Sequence, residues 1–203
     1  MRPLLLGLML AGFCHSAFAD EISSAYTDLD IGKDCATVAV AAEGDGQWAN
    51  FVCPGYRGFP VLVYDDDARQ SAFYGFPPPG DMAPAWESFA AFNSVGPKIE
   101  WRVETKGETA IPFAAIHRRL VSDPEDPEKK IDVLVVSRVA QLIDGKSCAV
   151  GLVVASGNPT ANDMARRIAD EQARDFACGA DERVQVSGEV PLPEFTRQEE
   201  PEQ

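Results

Sequence analysis

Ile131-Asp132-Val133-Leu134-Val135-Val136-Ser137-Arg138-Val139-Ala140 and Ser147-Cys148-Ala149-Val150-Gly151-Leu152-Val153-Val154-Ala155-Ser156 are two strongly β-branched runs separated by a short segment holding Asp144-Gly145. Branching at Cβ suits a pleated, packed surface, and Asp-Gly suits a tight reversal. The pair reads as the central hairpin of a sheet. The next segment changes period. From Pro159 to Ala177, the residues Ala161, Met164, Ala165, Ile168, Ala169 and Phe176 recur on one side at helical spacing, with Asp163, Arg166, Arg167, Asp170 and Arg174 opposite. Asn158 can cap this helix, Pro159 suits its first turn, and Gly179 suits its end. Asp163/Arg167 and Asp170/Arg174 are acid-before-base pairs four residues apart.

Towards the N-terminus, short apolar runs alternate with turn signals. Ala36 to Ala42 and Trp48 to Cys53 read as hairpin partners around Glu43-Gly44-Asp45-Gly46. Phe59 to Tyr64 and Arg69 to Phe76 read as strands around the turn Asp65-Asp66-Asp67. Pro77 to Pro84 cannot be regular structure, because consecutive prolines remove backbone donors. Trp86 to Phe92 reads as a helical turn or an extended segment. Lys98 to Glu104 and Ile111 to Val121 read as strands, with a charged loop over Ser122 to Lys130. Residues 20–33 read as a polar lead-in and 187–203, rich in Pro and Glu, as a loose, disordered tail. The expected fold is α+β: a mainly antiparallel sheet of six to eight short strands under one C-terminal helix, forming a single domain over residues 20–186.

The first 19 residues carry one positive charge at Arg2, an apolar run from Leu4 to Phe13, and Ala17-Phe18-Ala19 before Asp20. That is the pattern of a secretory signal cleaved after Ala19. The apolar run is too short to span a bilayer of about 20 residues. Four cysteines follow: Cys35, Cys53, Cys148 and Cys178. In an oxidising compartment an even number reads as disulfides, and four allow three connectivities. Cys35–Cys53 and Cys148–Cys178 are favoured because each pair falls within one local unit. Zinc is the alternative, but there is no C-x-x-C spacing, and His117 is the only histidine after the leader.

Without the leader the chain carries 17 basic and 32 acidic residues, a net −15. Such a chain repels phosphates, which argues against nucleic acid and anionic membranes, and attracts basic proteins or cations. His117 is a candidate general base, without a matching nucleophile motif. Asp65, Asp66 and Asp67 offer hard oxygens for calcium but lack the alternating spacing and glycine of an EF-hand. Arg118 and Arg119 should face opposite sides of a strand. Tyr56, Phe59, Tyr64, Phe73, Tyr74 and Phe76, with Trp48 nearby, read as core or as a face for a peptide or glycan. No P-loop, G-x-G-x-x-G or H-E-x-x-H occurs, so no cofactor is expected.

The pieces Phe51-Val52-Cys53-Pro54-Gly55-Tyr56-Arg57-Gly58-Phe59-Pro60-Val61, Phe92-Asn93-Ser94, Lys98-Ile99-Glu100-Trp101-Arg102, Pro112-Phe113-Ala114 and Ala165 to Cys178 resemble a group of uncharacterised exported proteins of alphaproteobacteria. The resemblance implies a periplasmic location and no activity. More loosely, a cysteine-bearing strand followed by a hairpin is similar to small periplasmic lysozyme inhibitors, and no functional residue is carried over. The expected function is a non-enzymatic periplasmic module that binds or protects a basic protein or small ligand. The alternative is a periplasmic hydrolase using Asp or Glu carboxylates.

Overall fold

A computed structural model describes residues 21–80 and 85–199. Residues 1–20, which include the expected leader, residues 81–84 of the proline segment and the last four residues lie outside the described residues. Among the described residues there are twelve strands: β1 (Glu21–Asp28), β2 (Ala36–Val40), β3 (Trp48–Cys53), β4 (Val61–Asp66), β5 (Arg69–Tyr74), β6 (Ala85–Phe89), β7 (Asn93–Lys106), β8 (Thr109–Ser122), β9 (Lys130–Arg138), β10 (Ala149–Val154), β11 (Val184–Val186) and β12 (Phe195–Glu199). Two α-helices accompany them, the four-residue α1 (Ile31–Asp34) and the twelve-residue α2 (Ala161–Gln172). The architecture is mostly antiparallel sheet with low helix content. The strands exceed the six to eight expected and fall into three sheets: β1-β7-β8-β9-β10-β11, β2-β3-β4-β5 and β12-β6.

The valine-rich hairpin lies near the middle of the large sheet, with β9 and β10 antiparallel and β8 beyond β9. Its side chains feed two different cores. Leu134 and Val136 join Ala114, Ile116 and the α2 residues Ala161, Ala165, Ile168 and Ala169. Ile131, Val133 and Val135 point the other way, towards Phe89, Val121 and Leu152. Farther along this second side, Ile99, Trp101, Val103 and Ala115 meet Val61, Val63 and Tyr74 of the four-stranded sheet. The large sheet therefore has a helix on one face and other strands on its opposite face, a layered solution to burying both surfaces. Helix α2 comes so close that a Cβ on Gly151 would lie 2.7 Å from Ile168 Cγ2. The chain then returns as β11, parallel to β10, as expected when a helix makes the crossover.

Several local expectations are corrected. The segment joining β9 to β10 is wider than a tight Asp-Gly reversal. Asp144 organises it by accepting from the backbone N–H of Gln141 (3.1 Å) and Lys146 (3.2 Å) while pairing with Arg138. Helix α2 stops at Gln172, before Ala177, and Asn158 acts from just outside it by accepting from Thr160 N–H at 3.1 Å. Its charges look across to β7 rather than along the helix in the Asp163/Arg167 and Asp170/Arg174 pairs. Arg102 clamps Asp170 at 2.7 Å, Arg166 reaches Glu100 at 2.7 Å, and Arg174 reaches Glu104 at 3.2 Å. Cross-element pairs win because β7 presents its own charges directly beneath the helix.

Residues 20–33 are no mere lead-in. β1 pairs with β7 over its whole length, and its Thr27 hydroxyl accepts from the indole of buried Trp101 at 2.8 Å. The strand is polar because its partners are polar: Ser24 donates to Glu100 and accepts from Arg102. Nor are residues 187–199 a loose tail. Val190, Leu192 and Phe195 pack against the Phe89 core, and β12 pairs with β6. Three apolar side chains outweigh the Pro- and Glu-rich composition. Trp86 to Phe92 resolves as extended, with β6 over its first part.

Cys35 bonds to Cys53, and Cys148 bonds to Cys178. The second bridge ties β10's entrance to the segment leaving α2 and closes a separation of 30 residues. Replacing Cys148 and Cys178 together with alanine should cost about 3 kcal/mol in urea unfolding, because the unfolded chain regains the freedom of the 30-residue loop. An unchanged midpoint would mean that packing alone holds α2.

Candidate functional site: an aromatic cleft with an acidic rim

His117 lies on β8 with no solvent exposure. Its Nε2 is 2.7 Å from the carbonyl of Gly96, which can only accept. Nε2 therefore carries the proton and Nδ1 accepts from the Tyr74 hydroxyl at 2.8 Å. Burial, reinforced by the nearby Arg119 cation, drives the imidazole pKa down to about 3, and burial pushes the Tyr74 phenol up to about 12. This is a neutral, fully bonded core histidine, closed to any substrate. Arg118 and Arg119 do part company: Arg118 pairs with Asp132 at 2.8 Å, while Arg119 is buried, with its guanidinium 3.3 Å from the carbonyl of Gln70.

The embedded carboxylates are committed to cations or backbone donors. Glu87 accepts from Ala149 N–H at 2.6 Å and from Arg197 at 3.2 Å, with Arg183 at 3.7 Å. Glu100, Asp170, Asp132 and Asp144 also face arginines. Lys106, helped by Arg174, holds Glu104 below the usual carboxylate range, and Lys98 does the same for Asp28. A general acid for glycoside hydrolysis needs the opposite shift. Among the described residues all four cysteine sulfurs are consumed in bridges, so none of these is a thiolate for zinc. No group of three or more His, Cys, Asp or Glu side chains suited to a metal ion occurs among the described residues.

The three aspartates separate. Asp65 and Asp66 belong to β4, and the two-residue turn is Asp67-Ala68, both with positive φ (50° and 57°) as a type I′ hairpin requires. Asp67 pairs with Arg69. Asp65 accepts from the Gln70 side-chain amide at 2.7 Å, and the Oε1 of that amide in turn accepts from Val95 N–H. Asp66 is exposed and has no side-chain partner among the described residues.

The aromatic stretch divides by face. Phe51, Val61, Val63 and Tyr74 point into the sandwich, whereas Leu62, Tyr64 and Phe73 point outward, against Trp86. Register explains the division: Asn50 lies opposite Tyr64, and Trp48 opposite Asp66, so these four side chains share the outer face of the second sheet. Together with Asp65, Ala85 and Trp86 they enclose a cleft of about 220 Å³. Trp48 is 36% exposed there, Trp86 is half-buried, and Tyr64 is buried at the base. Among the described residues the lining contains no lysine or arginine. Sequence reasoning had Trp48 and Tyr64 in one aromatic group. It missed Trp86 because the contact depends on β6 folding back against β5, where Glu87 N–H donates to Ser71 Oγ and Ser88 Oγ donates to the carbonyl of Gln70.

No family model matches the chain, and no curated protein and no solved structure is significantly similar to it.

Because His117 is neutral in the fold and titrates near 6.5 once unfolded, protonation favours the unfolded chain. Stability should be greatest above pH 6.5 and fall by roughly 1.4 kcal/mol per pH unit between 6.5 and 3. Urea unfolding of residues 20–203 should show a loss of about 2 kcal/mol from pH 7 to pH 5, and His117→Gln should flatten that slope. A slope that survives the substitution would place the titration elsewhere.

Proposed function

We propose that this protein is an exported, non-enzymatic binding module whose outer cleft holds a cationic side chain of a basic protein or peptide. The observation that carries this reading is the cleft's composition: Trp48, Trp86 and Tyr64 beside Asp65 and Asp66, with no competing cation in the lining. Aromatic faces attract an ammonium or guanidinium through their quadrupoles, by about 0.5–2 kcal/mol each when water is excluded. A rim carboxylate adds attraction, and the chain's net −14 steers cations towards it at low salt. The two disulfides suit an oxidising, extracellular compartment. We place the mature protein, beginning at Asp20, in a bacterial periplasm. The hydrolase alternative has less support, because the embedded carboxylates face arginines.

Tryptophan fluorescence reports the cleft, since the third tryptophan, Trp101, is fully buried and should stay silent. Nα-acetyl-lysine amide should quench saturably, more weakly at high salt, while Nα-acetyl-glutamate amide should not. Trp48→Ala and Trp86→Ala should each weaken the lysine response by about five- to tenfold, with unfolding midpoints kept. Equal responses to both amides would contradict the proposal.

A further inference from the structure

We infer that β2 is a docking edge for an extended, basic polypeptide segment, which adds to the four-stranded sheet as a fifth strand and presents its cations to the neighbouring cleft. The inference rests on the cleft reading above and supplies the form of the partner.

β2 is the outermost strand of its sheet, and among the described residues its backbone bonds only to β3. Proteins normally protect such an edge with charge, proline or brevity. Both edges of the large sheet do so: β1 ends in Glu21 and Asp28, and β11 has only three residues. β5, the far edge of the same sheet, is covered by β6 through the Ser71 and Ser88 hydroxyls. β2 reads Ala36-Thr37-Val38-Ala39-Val40 and continues Ala41-Ala42, with no charge and no proline; its ladder with β3 shifts register once, between Thr37 and Ala39. Val38 and Val40 are 51% and 59% exposed. The strand is also held ready. Cys35–Cys53 ties its entrance to the end of β3, and Ala41 N–H donates to the Trp48 carbonyl at its exit. An edge already fixed costs less entropy to bind.

What lies beside β2 specifies the partner. Across the sheet, Ala39, Asn50 and Tyr64 form one row, and Ala41, Trp48 and Asp66 form the next. On the cleft face β2 contributes only alanines, so side chains from an added strand, about 4.8 Å beyond β2, lean over methyl groups towards Trp48 and Asn50. Acids flank both ends of the edge, with Asp30 and Asp34 before it, where Lys33 offsets one of the two by pairing with Asp34, and Glu43 and Asp45 after it. An extended segment with lysine or arginine at alternate positions matches this layout. Main-chain ladder bonds supply affinity, and every second side chain supplies selectivity.

The test uses the octapeptide (Lys-Val)4 and two isomers N-methylated on alternate residues, one on the lysine nitrogens and one on the valine nitrogens, with the oxidised mature protein. Methylation removes the donors of one peptide edge and keeps every charge. One isomer should bind at least tenfold more weakly than the parent and the other nearly as well. The parent should also slow hydrogen exchange of amides 36–41 at least tenfold. Equal binding by all three peptides, with Nα-acetyl-lysine amide still quenching, would overturn the edge and leave the cleft. No response to the lysine amide or any peptide would overturn both. A free protein that sediments as a dimer dissociated by Val38→Lys would assign the edge to a second copy and overturn the peptide.

Discussion

The burial of both faces of the β8–β9–β10 sheet is the constraint on which everything else depends. Val133, Leu134, Val135 and Val136 are consecutive and all at most 4% exposed, so two opposite surfaces must be covered at once. Each such side chain contributes about 1.5–3 kcal/mol when removed from water. One covering layer is α2, with β11 beside it. The other is the four-stranded sheet, with the β6–β12 pair at its side. The second interface also holds polar groups, among them His117, Arg119, Ser71 and Glu87. They are tolerable because Gly96, Tyr74, Gln70 and Ala149 provide bonds at the right places.

That arrangement gives the four-stranded sheet two different faces. Its inner face is spent on the sandwich. Its outer face is partly covered by β6, and the gap that remains is the cleft. The position of Trp86 is therefore set indirectly. β6 finds its ladder partner in β12, near the end of the chain, with Trp86 opposite Gln198, and only side-chain bonds attach β6 to β5. The candidate site thus joins residues from the first third of the chain to a wall braced by the last ten residues. Cys35–Cys53 fixes the opposite, open side of the same sheet.

Local chemistry made much of this legible. The β-branched runs around 131–140 and 147–156 and the amphipathic stretch after Asn158 each carry their own period, and each forms the corresponding element, whereas the turns at Asp65 to Asp67 and Asp144-Gly145 took a different form. Segments whose structure depends on a distant partner were not legible. β1 is polar because it bonds to Glu100, Arg102 and Trp101, some 74–78 residues away. β12 is strand because β6 is there to receive it. The pairs Asp163/Arg167 and Asp170/Arg174 suggested bonds along the helix, but Asp170 and Arg174 take partners on β7, as does Arg166, and Asp163 pairs with Arg166 instead. The same limit applied to the site. Trp48, Tyr64 and the aspartates could be singled out from sequence, but their sharing of one face required the β3–β4 register, and Trp86 required the fold-back of β6.

Hydrogen exchange of the oxidised protein without any ligand measures this account most directly. The slowest amides should lie within 113–121, 131–138 and 149–154, opening only with global unfolding, while outward amides of 36–41 exchange orders of magnitude faster. Fast exchange throughout the valine-rich strands would contradict the doubly covered sheet. Strong protection of 36–41 in the free protein would show that its edge is already occupied.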